Sequence, residues 1–578
     1  MGYQYIALVG IGPAGSTPHV SEAQSAFLCS RGLRPCLTTG PLILFASSET
    51  STLAVPGGVL IGHLFSKDGS PAKPGHLPPT SSEQFAKYLL TRYWGEYLLI
   101  QTTAGPIAGL DVLRDPSGGV PCVYALQGGS GFITSDISLA TGLDLYTQRV
   151  DWSFIPQALA YPHVKTARTG LVGVRELLPA CSLLLRHTGA TIREDWSPWT
   201  FVTPSQRHHD PRAAETEIRT TIVSVVKAWA ETDKAVLMEL SGGLDSSIVA
   251  ACLNGTKAQV SCCTLVTPVP GADEQQYARL MTDALGIVLQ AEKLGFENAR
   301  FDSLPFVPTV TPRLGILQHV VNEAMEAAAQ TFGAASFFSG GGGDSVFCYL
   351  GNAVPAADAF REKGLSAGFT AIRDLSSLHQ CTHWKAMQLT LKKLLRGAKA
   401  PHKADRTFLA PAITIFSPDP HPWFVVPAGA LPGDQERIAD LAGTQVYRDS
   451  APRGWTRWLR LPLLSQPVME ACLRVPSWMW IAGGQNRAIA RAAFADQLPR
   501  GVLERRSKGT FMNYFGAIYQ REKLRMREYL LSGELRAHQL LDAGSLETFF
   551  DAKLPPRDTS FTRIFDLCMI ENWARHQS

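Results

Sequence analysis

The segment Val236–Leu253, VLMELSGGLDSSIVAACL, places a small polar loop between two apolar runs. The first run, KAVLMEL, predicts a buried strand, and SSIVAACLNG predicts a helix that ends at Asn254 and Gly255. AQVSCCTLV and DEQQYARLMTDALG repeat the strand and helix, and an amphipathic helix, ETEIRTTIVSVVKAWAE, precedes them. Strands alternating with helices predict a parallel sheet with crossover helices.

The polar loop predicts a site for phosphate groups. Ligands of open parallel sheets bind beyond the carboxyl ends of the strands, and glycines allow the backbone to approach them closely. The helix start adds free N–H groups and a positive dipole end. The loop lacks GxxxxGK[ST] and is not a Walker loop. The expected nucleotide-binding residues here are Leu240, Ser241, Gly242, Gly243, Leu244, Asp245, Ser246 and Ser247.

Asp245 has a second expected role. A carboxylate beside phosphates would repel them, so we expect it to bind magnesium. The alternative is a Gly-Ser turn in which this aspartate only caps the helix.

A second loop, in SFFSGGGGDSVFCYLG, repeats this pattern after another predicted helix and strand. Four consecutive glycines cost backbone entropy on folding, so we expect something to approach that backbone closely. Ser339, Gly340 and Gly341 are expected to contact the phosphates, and Asp344 to be the second magnesium ligand. The alternative is a flexible turn with a capping aspartate.

The chain changes character near residue 205. Short β-like runs broken by Gly and Pro come first and predict an antiparallel sheet. The polar segment Thr203–Glu215 is interpreted as a linker, which divides the chain into domains 1–203 and 204–578. Gly10, Gly12 and Gly15 match the dinucleotide pattern GxGxxG, but Pro18 follows and no acidic residue ends a second strand about 20 residues later.

Composition excludes several classes of protein. The net charge of +4 is too small to indicate nucleic acid as a main partner. No apolar run reaches the roughly 20 residues that cross a bilayer, and the first residues do not form a secretory signal. The 11 cysteines are scattered without a CxxC pair, which argues against a disulfide scaffold or structural zinc. We therefore expect a cytoplasmic protein with no nucleic-acid or membrane partner.

The two loops resemble those of asparagine synthetases and related ATP-dependent amide-forming enzymes. LSGGLDSS resembles their pyrophosphatase loop and FFSGGGGDSVF their S-G-x-G-x-D-x-x-F element. CCTLVTPVPGADEQQYA resembles the strand and helix that flank the adenine, RLPLLSQPVMEACLRVP the R-x-P-F-L-D segment, and NRAIARAAFADQLPRGVLERRSKG the K-x-x-L-R and R-x-K elements. The resemblance covers most of residues 215–515.

This resemblance implies a mechanism. A substrate carboxylate attacks the α-phosphorus of ATP, pyrophosphate leaves, and an amine then displaces AMP. It implies ATP and Mg²⁺ as cofactors, an adenine contact at Val266 and a catalytic lysine at Lys508, which would stabilise developing negative charge. A solvated surface position is the alternative for Lys508.

The N-terminal part resembles the glutaminase domain of the same enzymes. YWGEYLLI, RDPSGGVPCVYAL, FITSDI and GLVGVRELLPACSLLL look like its landmarks. The implied fold class is an α+β, Ntn-type glutaminase-like sandwich followed by an α/β parallel-sheet ATP-pyrophosphatase domain. Glutamine-using members have a nucleophilic cysteine at position 2, whereas this chain has Gly2, and Cys29 lies too far along to replace it. We expect no glutamine hydrolysis by that route.

The amine is therefore expected to come from the substrate itself. In β-lactam synthetases a catalytic tyrosine occupies the position of Gly341, and the N-terminal landmarks look more like lasso peptide cyclases. That branch implies a linear core peptide as substrate, with a leader-binding protein and a leader peptidase as partners. The basic segment His379–Arg406 fits a peptide channel, an acidic partner or a solvated face. Ammonia-dependent asparagine synthetase, a β-lactam synthetase-like ligase and a non-catalytic scaffold remain alternatives.

Overall fold

A computed structural model describes residues 2–11, 17–78, 82–103, 109–271, 273–303, 308–312, 315–398, 402–449, 453–506, 509–555 and 557–577. The strands are β1 Tyr5–Gly10, β2 Leu33–Thr39, β3 Leu42–Ser47, β4 Thr52–Val55, β5 Gly58–Ser66, β6 Tyr93–Thr103, β7 Gly109–Arg114, β8 Val123–Gln127, β9 Ser130–Thr134, β10 Arg175–Glu176, β11 Cys181–Arg186, β12 Gly189–Glu194, β13 Ala235–Glu239, β14 Gln259–Val266, β15 Leu289–Lys293, β16 Ser336–Ser339, β17 Trp458–Arg460, β18 Ile481–Ala482 and β19 Gln485–Asn486.

The α-helices are α1 Glu22–Ser30, α2 Ser82–Arg92, α3 Ile137–Gly142, α4 Ile155–Ala160, α5 Pro211–Ala230, α6 Leu244–Leu253, α7 Gln275–Leu285, α8 Gln318–Phe332, α9 Gly343–Val346, α10 Val354–Lys363, α11 Leu365–His379, α12 His383–Arg396, α13 Pro432–Asp449, α14 Arg453–Thr456, α15 Gln466–Arg474, α16 Ala488–Ala493, α17 Arg500–Leu503, α18 Met512–Leu531, α19 Glu534–Ala537, α20 Ala543–Asp551 and α21 Thr562–Arg575. Among the described residues, none of these helices is both long and apolar enough to cross a membrane.

The N-terminal part contains two antiparallel sheets. One has the strand order β10-β8-β9-β1-β3-β2 and the other β12-β11-β7-β6-β5-β4. Alternate residues of each strand point to opposite faces, and the inner faces share one apolar core, to which Ala7, Val9, Leu98 and Val112 belong. The predicted antiparallel sheet is therefore present, as a sandwich.

Helices cover both outer faces of this sandwich. Every residue of β1 is buried, because Ile6 and Leu8 pack on its outer side with residues of α21. On the opposite side, Leu60 and Leu99 share a core with α2 and α5. The C-terminal half thus supplies part of the N-terminal half's packing, and the two halves share continuous cores.

The context of β1 does not fit the dinucleotide fingerprint that Gly10, Gly12 and Gly15 match. A Rossmann fingerprint follows a strand of a parallel βαβ unit. Here β1 pairs antiparallel with both of its neighbours, β3 and β9. Gly12 and Gly15 lie outside the described residues. The strand before them, β1, belongs to an antiparallel sheet and not to a parallel βαβ unit.

The C-terminal part contains the predicted parallel sheet, with strand order β15-β14-β13-β16-β17. All four of its pairings are parallel. β13 lies at the centre, beside β16, so the loops that follow these two strands leave the same edge of the sheet. This topology brings two loops separated by about a hundred residues together.

The predicted linker Thr203–Glu215 extends too far along the chain at its C-terminal end. Its last residues belong to α5, which begins at Pro211. The side chain of Asp210 accepts hydrogen bonds from the backbone N–H groups of Arg212 and Ala213. Proline suits a first helical turn because that N–H needs no intrahelical partner, so a proline that indicated a loop in fact starts a helix. The domain boundary at 203/204 stays a prediction.

Candidate active site

The two predicted loops meet at the carboxyl edge of the parallel sheet. The first follows β13 and leads directly into α6, whose first turn contains Asp245. Inside this loop the Ser241 and Ser246 hydroxyls lie 3.1 Å apart, and the Gly243 N–H donates to the Ser241 hydroxyl at 3.3 Å. The second loop follows β16 and leads into α9, whose first turn contains Asp344. Both acidic residues therefore stand at helix starts, where free N–H groups gather.

Glycine is required because the loops pack against each other. A β-carbon on Gly340 would lie 2.5 Å from the backbone nitrogen of Ser246, and one on Gly343 would lie 2.4 Å from the β-carbon of Asp245. Gly342 has a φ of +85° and faces the side chain of Leu464. From the sequence we expected some group to approach this backbone closely. At these three glycines the approaching groups are other residues of the protein.

One guanidinium lies between the two aspartates. Nη1 of Arg487 is 3.0 Å from both carboxylate oxygens of Asp245 and 3.0 Å from Oδ1 of Asp344. The Tyr349 ring packs under the same guanidinium, with 5.3 Å from its carbon to the ring centroid. The two carboxylates therefore contact one shared cationic group, and their binding of a shared magnesium ion stays a prediction.

A cavity of about 690 Å³ opens above these loops. This is within the range of small-molecule sites, roughly 300–1,000 Å³, and leaves room for a nucleotide. The predicted residues that line it are Ser241, Gly243, Leu244, Asp245, Ser246, Ser339, Gly340, Gly341 and Asp344. The structure thus brings most of the predicted site together around one cavity.

Four predicted residues do not line the cavity. Leu240 and Ser247 are completely buried. Gly242 packs against Tyr277, and its carbonyl accepts a hydrogen bond from Arg505 at 3.1 Å. Val266 ends β14, beside β13. Direct contact of these four with a nucleotide stays a prediction.

Lys508, the predicted catalytic lysine, lies outside the described residues. Arg505 and Arg506 of the same element line the cavity. Arg505 forms an ion pair with Glu274, and its guanidinium packs 4.0 Å from the centroid of the Tyr277 ring. The two described residues Arg505 and Arg506, which come shortly before the predicted lysine in the sequence, therefore reach the site.

Further charged residues in the wall were not predicted. Burial and the neighbouring Arg487 lower the pKa of Arg491 to about 10, so it remains a cation at neutral pH. Burial raises the pKa of Asp440, which lies near Asp344. His163 and His379 also line the cavity. Arg487 and Arg491 stand in the quoted NRAIAR element, whereas nothing in the sequence indicated His163, which reaches the cavity from the N-terminal half.

The site fits ATP with magnesium. Mg²⁺ prefers oxygen ligands and is commonly held by one or two carboxylates together with substrate phosphates. In the described part of the chain, no group of three His, Cys, Asp or Glu side chains could hold a metal by itself. Asp245 and Asp344 would therefore hold the ion together with a triphosphate, whose negative charge Arg487, Arg491 and Arg505 could balance.

Position 2 leaves no space for a nucleophile. The Gly2 N–H donates to the carbonyl of Trp455 at 3.2 Å. A β-carbon at Gly2 would lie 2.4 Å from the carbonyl oxygen of Gly454. The adjoining cavity measures about 160 Å³, and in its wall Glu96 pairs with Arg448 at 2.5 Å. The backbone of Gly454 and Trp455 thus leaves no space for a side chain at position 2.

Comparisons with known proteins assign the family. Residues 217–575 match the asparagine synthase family. The amidase chyE of Penicillium rubens is 28% identical over 221 residues, which cover 35% of this chain and 31% of that relative, so the chain spans about a third of its length.

Two solved structures are each 10% identical, with a TM-score of 0.21, over 58% of this chain and 84% of theirs: an allosteric regulatory enzyme of purine biosynthesis, and the glutamine phosphoribosylpyrophosphate amidotransferase of B. subtilis. The family match covers more than half of the sequence and contains both acidic loops. The chain therefore belongs to the asparagine synthase family, whose domain indicates ATP-dependent amide bond formation.

Proposed function

We propose that the protein is an ATP-dependent macrolactam synthetase of the lasso peptide cyclase type. It would adenylate an Asp or Glu side chain of a leader-free core peptide and join it to the peptide's own N-terminal amine. The observation that carries this proposal is the contact of Gly2 with Gly454, which leaves no room for a glutaminase nucleophile. An amide-forming site without its own ammonia source requires an amine from elsewhere, and the substrate can supply it.

The two loops would orient the nucleotide. Backbone N–H groups at the start of α6 and the Ser241 and Ser246 hydroxyls would contact the phosphates, and the wall arginines would balance their charge. Magnesium held by Asp245 and Asp344 would neutralise charge on the departing pyrophosphate. Lys508 stays the proposed residue that stabilises charge near the α-phosphorus.

The proposed reaction has two steps, adenylation of the carboxylate and attack of the amine. A carboxylate oxygen bonds to the α-phosphorus as the bond to the β-phosphate oxygen breaks, and pyrophosphate leaves. The amine nitrogen then bonds to the activated carbonyl carbon, loses a proton, and AMP leaves. His163 and His379 are the imidazoles in the described cavity wall, and we propose that one of them accepts that proton.

The exposed face of helix α12 supports the proposal that partner proteins bind to this chain. Trp384, Leu391 and Leu395 are 70%, 50% and 87% exposed and lie seven and four residues apart, on one helical face. Lys392 and Arg396, each one residue further on, add positive charge beside that face. A leader-binding protein or a leader peptidase with an acidic, partly apolar surface could dock there.

An ammonia-dependent asparagine synthetase is the second candidate, because the matched family carries that name. The cavity would then hold free aspartate, and ammonia from solution would replace the peptide amine. A β-lactam synthetase-like reaction is less well supported, since Gly341 stands where that branch has its tyrosine.

One assay separates these activities. The full chain is incubated with ATP, Mg²⁺ and a linear peptide that has Gly, Ala, Ser or Cys first and Asp or Glu near the eighth position, and in parallel with aspartate and ammonia. We expect AMP and pyrophosphate together with a peptide lighter by one water. Asparagine formation in the parallel reaction, with the peptide unchanged, would reject the cyclase in favour of the second candidate.

A further inference from the structure

We propose that Arg487 is a built-in counter-cation for the two metal-binding aspartates and that nucleotide binding displaces it. In this proposal magnesium arriving with the triphosphate takes over both carboxylates, and the guanidinium moves to the phosphates. The inference rests on ATP use at this cavity, a property of the family, and not on the proposed ring closure.

The contacts of Arg487 support its role as a counter-cation. A single nitrogen, Nη1, contacts both carboxylates at 3.0 Å, so one positive charge serves two negative ones. The Arg487 side chain is only 12% exposed and that of Asp245 14% exposed, so water screens this contact weakly. A metal ion that approached without nucleotide would have to compete with this guanidinium for the same oxygens.

The local structure favours displacement. Arg487 has a φ of +52°, in the left-handed region that residues with a β-carbon adopt at a cost. Its Nε is buried and has no hydrogen-bond acceptor among the described residues. A buried donor without an acceptor is unfavourable, and a phosphate oxygen would supply one. The contact is therefore incomplete for the arginine, although its guanidinium reaches both aspartates.

The residues around Arg487 favour phosphate as the new partner of its guanidinium. Arg487 lies in the wall of the same cavity as Gly243, Ser246 and Arg491. The free N–H groups at the start of α6 make this side of the cavity a site for anions. A guanidinium released here has a triphosphate as its nearest partner, and arginine pairs with phosphate through two parallel hydrogen bonds.

Binding measurements on the full chain test this. Mn²⁺ replaces Mg²⁺ and its unbound fraction is followed by electron paramagnetic resonance, without nucleotide. Arg487→Met is expected to bind Mn²⁺ at least about tenfold more tightly than the wild type, because the two carboxylates lose a cation that contacts them both. Arg487→Lys keeps the charge and should exclude Mn²⁺ nearly as well as the wild type.

The second measurement uses α,β-methylene-ATP with Mg²⁺, an analogue that cannot be cleaved between the α- and β-phosphorus. Calorimetry should show that Arg487→Met binds it about tenfold more weakly, because one phosphate contact is lost. Arg34→Met changes the net charge equally at an exposed position on β2 and should alter neither affinity. If the methionine variant melts early, Arg487→Gln replaces it.

Each result bears on the proposal separately from the assay of function. Equal Mn²⁺ affinity in the wild type and Arg487→Met would overturn the counter-cation role. An unchanged affinity for the analogue would overturn the transfer to phosphate. A wild type that binds no nucleotide would remove the proposed function and the transfer together, whereas failure of peptide cyclisation alone would leave both binding results standing.

Discussion

At the scale of single residues, the two aspartates lie together, as a shared metal site would require. Asp245 and Asp344 come from loops after neighbouring strands and contact the same guanidinium nitrogen. The residue between them, Arg487, could not be predicted to lie there. Its segment follows the first loop by more than two hundred residues, and no local pattern shows where that segment packs.

Asp245→Asn and Asp344→Asn should each lower the rate of AMP formation by about 10²–10³-fold, since each removes a charge that would hold the metal against the leaving pyrophosphate. Product analysis of purified variants measures this, and melting temperatures check their folding. Asp419→Asn, outside the cavity wall, is the control and should keep wild-type rates. Normal rates in both loop variants would point to a non-catalytic scaffold.

Gly2→Cys tests whether position 2 can hold a glutaminase nucleophile. The new β-carbon would lie 2.4 Å from the Gly454 carbonyl oxygen, so we expect a lower melting temperature and no glutamate from glutamine. Gly75→Cys, where a β-carbon meets nothing within 4 Å, serves as control. Glutamine hydrolysis by a normally stable Gly2→Cys protein would show that the pocket is intact and only its nucleophile is missing.

At the scale of elements, strand and helix patterns were predictable, and contacts between loops were not. Hydrophobic periodicity located β13, β14, α6 and α7, and α7 ends at Gly286 with the left-handed cap that glycine favours. The four-glycine run predicted a close approach but not the neighbour. That neighbour is the first loop, because a parallel sheet places the ends of β13 and β16 side by side.

Gly343→Ala should destabilise the protein by about 1–3 kcal/mol, because the added methyl group would press on the β-carbon of Asp245. Chemical denaturation measures the change in free energy of unfolding. Gly40→Ala, whose β-carbon meets nothing within 4 Å, should change it little. Equal stability of the two variants would mean that the loops do not pack together as described.

At the scale of the whole molecule, the two halves are joined by buried polar and aromatic contacts. Arg460 of the C-terminal half pairs with Glu96 of the sandwich at 3.4 Å and stacks 4.4 Å from the centroid of the Trp229 ring. His63 of the sandwich lies 3.5 Å from the same guanidinium. These pairings join residues hundreds of positions apart, so the order of the two halves was predictable from sequence and their contact was not.

His63 makes the molecule sensitive to acid. Burial and the nearby Arg460 lower its pKa from 6.5 to about 3. Between these values the unfolded chain binds a proton that the folded chain does not, so this group's contribution to stability is complete above pH 6.5 and declines as the pH falls toward 3.

His63→Gln should therefore reduce the loss of stability on acidification, even if it lowers stability at neutral pH. Denaturation at a series of pH values gives the slope for each variant. His19→Gln, at an exposed position, should keep the wild-type slope. An unchanged slope in His63→Gln would show that this imidazole is not kept neutral at the contact between the halves.

In the proposed reaction, ATP activates a carboxylate of the substrate peptide, which is then joined to the amine of the same peptide. The most direct measurement supplies the full chain with the linear peptide, ATP, Mg²⁺ and glutamine labelled with ¹⁵N in its amide, followed by mass spectrometry of the peptide. We expect a product lighter by one water, without ¹⁵N, whose yield does not depend on glutamine. A peptide carboxamide that contains ¹⁵N would contradict it.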